Sequence, residues 1–216
     1  MSTPAIRTSR YHHGDLRRAL VLAATSLARA GGPDAVVLRE VTRQVGVSAN
    51  AAYRHFADRD ALLEAVILAG LTQMAGVMEQ ELRAVRARQP QRRARARLRA
   101  VGTGYVRFAI AEPGLFRATF LVPTDLSRAR SPQARGEGGR TPFELLSDVL
   151  DELVESGVVS AAQRPGAELL AWSAVHGLAV LAVNGPLREL PARAIEETTQ
   201  RLLSMVDAGL GFPVAR

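Results

Sequence analysis

Cysteine is missing from the chain altogether. That excludes disulfides, thiolate zinc sites and thiol redox sensing, and a reducing cytoplasm is the expected setting. Lysine is missing too. All 28 basic residues are arginine, whose planar guanidinium suits bidentate contacts to phosphate and guanine. No uninterrupted apolar run approaches the length of a membrane span, and Met1 to Arg10 is polar and basic, unlike a signal peptide. Neither membrane nor secretion is expected. There is no strand-type alternation and no internal repeat.

Signatures of catalysis are equally sparse. The sequence has no phosphate loop, nucleophile elbow or H-E-x-x-H. His12, His13 and Asp15 lie together on a terminal arm, a poor metal site. Asp148, Asp151, Glu152 and Glu155 recur at helical spacing, as a solvated face would, and Gly102-Thr103-Gly104 is a lone glycine pair inside a helical pattern. No catalytic residue, cofactor or metal is expected.

What is present is helix. With 216 residues, 47% of them apolar, the chain can bury a sizeable core as one domain or as a small domain joined to a larger one. Leu16, Ala19, Leu20, Ala23, Leu27 and Ala30 recur at three- and four-residue spacing until Gly31-Gly32-Pro33 stops the helix. A short second helix carries Leu38, Val41 and Val45. Gly46-Val47-Ser48 breaks it, and a third, capped by Ser48, runs from Ala49 to Phe56. Asp58 caps a long fourth helix, and Pro90 marks a break before a fifth. From Pro123 to Thr141 the composition predicts a mobile loop. Pro142 opens a further helix ending near Gly157. Residues 167–183 are apolar almost all round, predicting a helix buried on most sides, whereas 192–208 are amphipathic, with Ile195, Leu202, Leu203 and Val206 on one side.

Charge is unevenly spread over the net +7. Residues 1–60 hold nine Arg against five acids, residues 61–82 three acids and no Arg, and residues 83–99 eight Arg and no acid. The N-terminal excess suits a polyanion; the eight-Arg run could match one too, but a charge run is more often a solvated helix face on the outer surface.

Two short helices joined by a tight turn are what a helix-turn-helix needs, so that the second can enter a major groove. Gly46 permits a positive backbone angle, Val47 can plug the gap, and Ala51 and Ala52 allow close packing. By pattern alone, an ordinary helical hairpin fits as well. The stretch LREVTRQVGVSANAAYRHFADRDALLEAV, residues 38–66, resembles the N-terminal domain of the TetR (TetR/AcrR) family of regulators, and YHHGDLRRAL, residues 11–20, is similar to its opening. The match covers about a quarter of the chain. YVRFAIAEPGLF, residues 105–116, together with WSAVHGL, residues 172–178, resembles a ligand-binding C-terminal domain of that family marked by Trp172, His176 and Gly177.

The resemblance implies an all-α protein, with a three-helix DNA-binding domain over 1–60 preceded by a disordered arm over 1–10. A larger helical domain over 61–216 would bind an effector and dimerise. It further implies a homodimer formed through 167–183 and 192–208 on a double-stranded DNA operator; the cytoplasm is the expected setting, and the expected action is that of a repressor released by a small, largely apolar effector. Tyr53 and His55 are implied phosphate contacts, as is Arg59, where the family usually has Lys; Tyr53 half-buried against the first helix is the other reading. Ser48, Ala49, Asn50 and Arg54 stand at the exposed start of the recognition helix. There Asn can bond adenine, Arg can bond guanine, and Ala offers only a methyl contact. Arg39 and Thr42 are candidate phosphate contacts on the second helix. Arg7 and Arg10 would reach a minor groove, or simply solubilise the arm.

In the second domain, Trp172 and His176 share one helix face. Phe108, Phe116, Phe120 and Met74 are candidate walls of an effector pocket, with Tyr105 or His176 as its polar contact. A packed core with a satisfied histidine fits the same spacing.

Overall fold

The computed structural model describes residues 13–122 and 127–211, with side chains from Asp15 onward. Arg7, Arg10 and the expected 1–10 arm lie outside the described residues. Within them the fold is all-α, without strands: α1 His13–Gly31, α2 Leu38–Val45, α3 Ala49–Tyr53, α4 Arg59–Ala84, α5 Pro90–Ala111, α6 Pro113–Phe120, α7 Pro142–Glu155, α8 Ala167–Val183 and α9 Ala192–Gly209.

Helices α1 to α3 form a small unit around Leu16, Leu20, Val41, Ala52 and Phe56, all buried. Helix α4 leaves this unit and runs into the rest of the molecule. It holds an 18-residue window apolar enough to cross a membrane, which a search for uninterrupted runs passes over, but half of that window is buried inside the protein. It is a core helix.

Helix α5 is the axis of the larger unit, packed against α4, α6, α7, α8 and α9. Ala100 to Val106 are buried without a gap, which requires neighbours on every side. The lone glycine pair makes this possible. A Cβ at residue 104 would stand 2.8 Å from the Met78 Cα, and one at residue 102 would stand 2.2 Å from the Leu203 Cδ2. The pair lets α4 and α9 close on α5.

The eight-Arg run is not a bare solvated face. Arg95 and Arg99 both pair with the buried Asp207 of α9, the latter at 3.2 Å, and Arg97 donates to Glu152 of α7 at 2.7 Å. Nor is the acidic face of α7 free: Asp148 pairs with Arg140 and Asp151 with Arg164. These arginines hold helices together.

Residues 127–141 are not the loose loop that composition predicts. Two 3-10 turns, Arg128–Arg130 and Pro132–Ala134, lay the segment across α4 and α7 as a strap. Ala134 and Thr141 are fully buried, Thr72 Oγ1 donates to the Gln133 carbonyl, and the Gly138 amide donates to the buried Glu79 carboxylate at 3.0 Å. A Cβ at residue 136 or 138 would sit under 3 Å from that carboxylate, so the Gly-rich composition here serves close packing rather than mobility. Thr141 then caps α7 in a reciprocal box with Glu144, and Pro142 occupies the first turn.

Helix α8 also departs from expectation. Its inner face, Ala171, Val175, Leu178 and Ala182, is buried, but Leu169, Leu170 and Leu181 are exposed, Leu170 by 67%. Met205 of α9 is 70% exposed. In the single chain, α8 and α9 present apolar side chains outward.

Candidate functional site

At the N-terminal end, local chemistry sets the turn. Gly46 takes the left-handed conformation, φ 75°, and closes α2 through its amide to the Thr42 carbonyl. Ser48 caps α3, its Oγ accepting from the Ala51 amide at 3.3 Å. Ala52 is buried against the unit, and Phe56 closes its floor beneath the Arg17 guanidinium. Anchored by these, α3 is only five residues long; the helix expected as far as Phe56 ends at Tyr53.

The opposite face of α3 is open. Ala49, Asn50, Tyr53 and Arg54 are exposed, Tyr53 by 54%, so its ring stands in solvent rather than half-buried against α1. Arg39 of α2 is exposed beside them, and among the described residues neither Arg39 nor Arg54 carries an ion pair. Arg43, by contrast, is clasped by Glu40 through both Nε and Nη2, a pair that also holds the Glu40 carboxyl below its ordinary range. His55 is partly buried.

Two candidates are corrected. Thr42 is buried and gives its hydroxyl to the Arg39 carbonyl at 2.9 Å; no side-chain proton is left for a phosphate. Arg59 turns inward, donating to the Val36 and Pro33 carbonyls at 2.9 and 2.6 Å. It ties α4 to the loop before α2. At the start of α4 the exposed side chains are the carboxylates Asp58, which caps the Ala61 amide, and Asp60.

The second region lies inside the bundle. Leu71, Met78, Val101, Phe143, Leu146 and Val175, with Tyr105, Phe120 and Trp172, line a narrow apolar cavity of about 50 Å³. Ligand pockets ordinarily run to roughly 300–1,000 Å³, so a ligand enters here only by displacing lining side chains. A second, more open recess of about 360 Å³ shares Phe120 and Trp172 with it and is lined also by His176, Ser173, Thr119 and Arg128.

Its polar centre is a chain of three side chains from two helices. Trp172 Nε1 donates to the Tyr105 hydroxyl at 3.2 Å, and that hydroxyl lies 2.8 Å from His176 Nδ1. Burial pushes the Tyr105 phenol well above its ordinary range, so it keeps its proton and donates it to Nδ1. Burial also lowers the imidazole. The consistent state is neutral His176 with its proton on Nε2.

Of the seven proposed pocket residues, Tyr105, Phe120, Trp172 and His176 meet at this cavity. Met74, Phe108 and Phe116 do not line it; all three are fully buried core. Phe116 still supports the site from behind, edge-on to Tyr105 at 6.1 Å and tilted against His176 at 5.9 Å. Sequence reasoning missed the aliphatic walls from α4, α5 and α7, whose core spacing carries no sign of a cavity. It also missed Arg128, which sits in the supposed loop.

The two regions meet at α6. Gly114 lies so close to the end of α1 that a Cβ there would be 2.2 Å from the Arg29 carbonyl oxygen. Arg29 reaches back to Glu112 at 2.9 Å and to Gln73 of α4.

Comparison with known proteins agrees with this layout. Residues 20–66 match the model for bacterial regulatory proteins of the tetR family, and residues 98–206 match the model for the tetracyclin repressor-like C-terminal domain. No curated protein matches the chain. Among solved structures, a protein of unknown function from Rhodococcus sp. RHA1 is 29% identical with a TM-score of 0.71, covering 94% of this chain and 100% of that one. FadR from Bacillus subtilis, solved with stearoyl-CoA, is 15% identical with a TM-score of 0.66, over 89% of this chain and 98% of its own. PfmR from Thermus thermophilus is 18% identical at 0.57, over 88% and 97%.

Proposed function

The chain belongs to the TetR family of bacterial regulators, non-enzymatic DNA-binding proteins, and from that premise we propose that it is a homodimeric repressor released from its operator by a small, largely apolar effector. Asn50 and Arg54 read base edges, and Tyr53, His55 and Arg39 hold phosphates. Ala49 contributes a methyl contact, and Ser48 sets the helix start. The exposed apolar faces of α8 and α9, with Leu170, Leu181 and Met205, are covered by a second copy of the chain.

One observation carries the release mechanism. The eight residues of α6 touch both the cavity, through Phe120, and the end of α1, through Gly114. A ligand that displaces Phe120 moves a helix whose other end bears on the DNA-reading unit. In a symmetric dimer the two recognition helices must lie about 34 Å apart to enter successive major grooves, so a shift of a few ångströms spoils the register. An effector acts only by favouring one of these two arrangements over the other.

The test is anisotropy of a labelled DNA fragment from the region upstream of the protein's own coding sequence, titrated in rising salt. The reading requires saturable binding that exceeds random DNA and weakens with salt, by about 0.9 log units per log unit of salt for each neutralised phosphate. Absence of DNA binding even at low salt overturns it.

A further inference from the structure

The effector cavity and the recess outside it differ in chemistry and share a wall. The inner part is bounded almost wholly by aliphatic and aromatic side chains. Leu71, Phe120, Ala129 and Trp172 line both this part and the outer one. In the recess the available polar groups are Arg128, the Nε2 of His176 and the exposed Ser173. Arg128 and Ala129 are consecutive on the strap, so one residue faces the apolar chamber while its neighbour lines the recess.

Arg128 also lines a neighbouring recess, shared with Glu64 and Arg59. Its Nε lies 2.6 Å from Glu64 Oε2, yet that oxygen is buried without a hydrogen-bonded partner. The pair is close but misaligned. Carboxylate recognition by arginine is strong when it is aligned and bidentate.

Resting on the effector reading above, we propose that the ligand is an amphiphile with a carboxylate head, its apolar tail in the inner chamber and its head on Arg128, beside the His176 Nε2–H. The incoming carboxylate takes over Arg128 from Glu64. Glu64 belongs to the second turn of α4, next to the DNA-reading unit, so the exchange loosens the strap from that end of α4. A neutral molecule with the same tail fills the chamber without making the exchange.

Trp172, the single tryptophan, lines both compartments and reports occupancy by its fluorescence. The probes are decanoate and decanol, each kept below micelle concentrations, with the full-length protein. Decanoate should bind about tenfold more tightly than decanol. Arg128→Gln should abolish that preference while leaving decanol affinity unchanged, and Glu64→Gln should raise decanoate affinity several-fold. Equal affinity of the two probes, or a preference that survives Arg128→Gln, overturns the carboxylate head and leaves the effector reading standing. Decanoate that binds through Arg128 but leaves operator affinity unaltered upholds the head-group site and removes release by ligand. Silence of Trp172 toward both probes, with no displacement of either by the other, overturns both readings.

Discussion

The two working regions of this molecule are built on opposite plans. The DNA-reading end shows its chemistry outward on and just after a helix of five residues, with Asn50, Tyr53 and Arg54 in solvent and Ala52 as the one buried residue of that helix. The sensor end turns its chemistry inward, where Tyr105, Trp172 and His176 satisfy one another inside the bundle. An exposed reader sheds or gains a function with little change in stability. A buried sensor cannot, because each of its polar groups is also part of the fold.

That contrast is broken most severely where a pocket residue proves to be core. Phe116→Ala should cost about 3–5 kcal/mol of stability, the usual cost of removing a buried aromatic ring. A chemical-denaturation midpoint close to wild type would mean that Phe116 is a cavity wall after all. Next comes the joint between the regions. Gly114→Ala forces a methyl against the Arg29 and Ala28 carbonyl oxygens, and overpacking of this sort costs about 1–3 kcal/mol. Because those atoms are backbone, the loss should be accompanied by weaker ligand response. Stability within error of wild type would show that α6 and α1 separate freely.

At the reading end the same order of energy should appear in binding instead. Arg54→Ala or Asn50→Ala should weaken operator binding by about 1–3 kcal/mol, relaxing specificity at one base position, while thermal stability stays within about 0.5 kcal/mol. Anisotropy and calorimetry on the same samples separate the two quantities. The smallest effect concerns His176. Burial lowers its pKa from 6.5 in the native state, so below about pH 6.5 the unfolded chain takes up this proton before the folded one does. Stability contributed at this site is complete above that pH and declines on acidification. Wild type should therefore lose more melting temperature than His176→Gln between about pH 7.5 and 5.5, and parallel curves would place the imidazole in solvent.

The same contrast governs what can be read from the sequence. The reading end is legible because its determinants are neighbours: Val41, Gly46, Ser48 and Ala52 fall within one short stretch, and their types dictate a turn, a cap and a close contact. Helix existence is legible for the same reason, from Leu and Ala spacing and from Pro90 and Pro142. The sensor is legible only in the aromatic and histidine residues that the family resemblance marks. His176 and Tyr105 are 71 positions apart, and nothing local says that they bond. The aliphatic walls look like any core. The strap reads as mobile because glycine and arginine signal mobility locally, whereas Glu79 and Glu64, far away on α4, supply their partners. Arg59 and Thr42 mislead on the same principle. Position in a pattern gives proximity to DNA, but only packing reveals that Arg59 is spent on two carbonyls.

The contact at Gly114 also bears on how such a protein could be recombined. A cut near residue 60, at the start of α4, separates the two functions on paper. It also parts Ala28 and Arg29 from the glycine that fits between them, and Arg29 from Glu112 and Gln73. A reader grafted onto a foreign sensor would arrive with a socket shaped for a residue without a side chain. The transferable module is therefore the reader together with residues 112–117, and a graft that carries both across should keep its response where a simple exchange of halves yields two sound domains that no longer speak to each other.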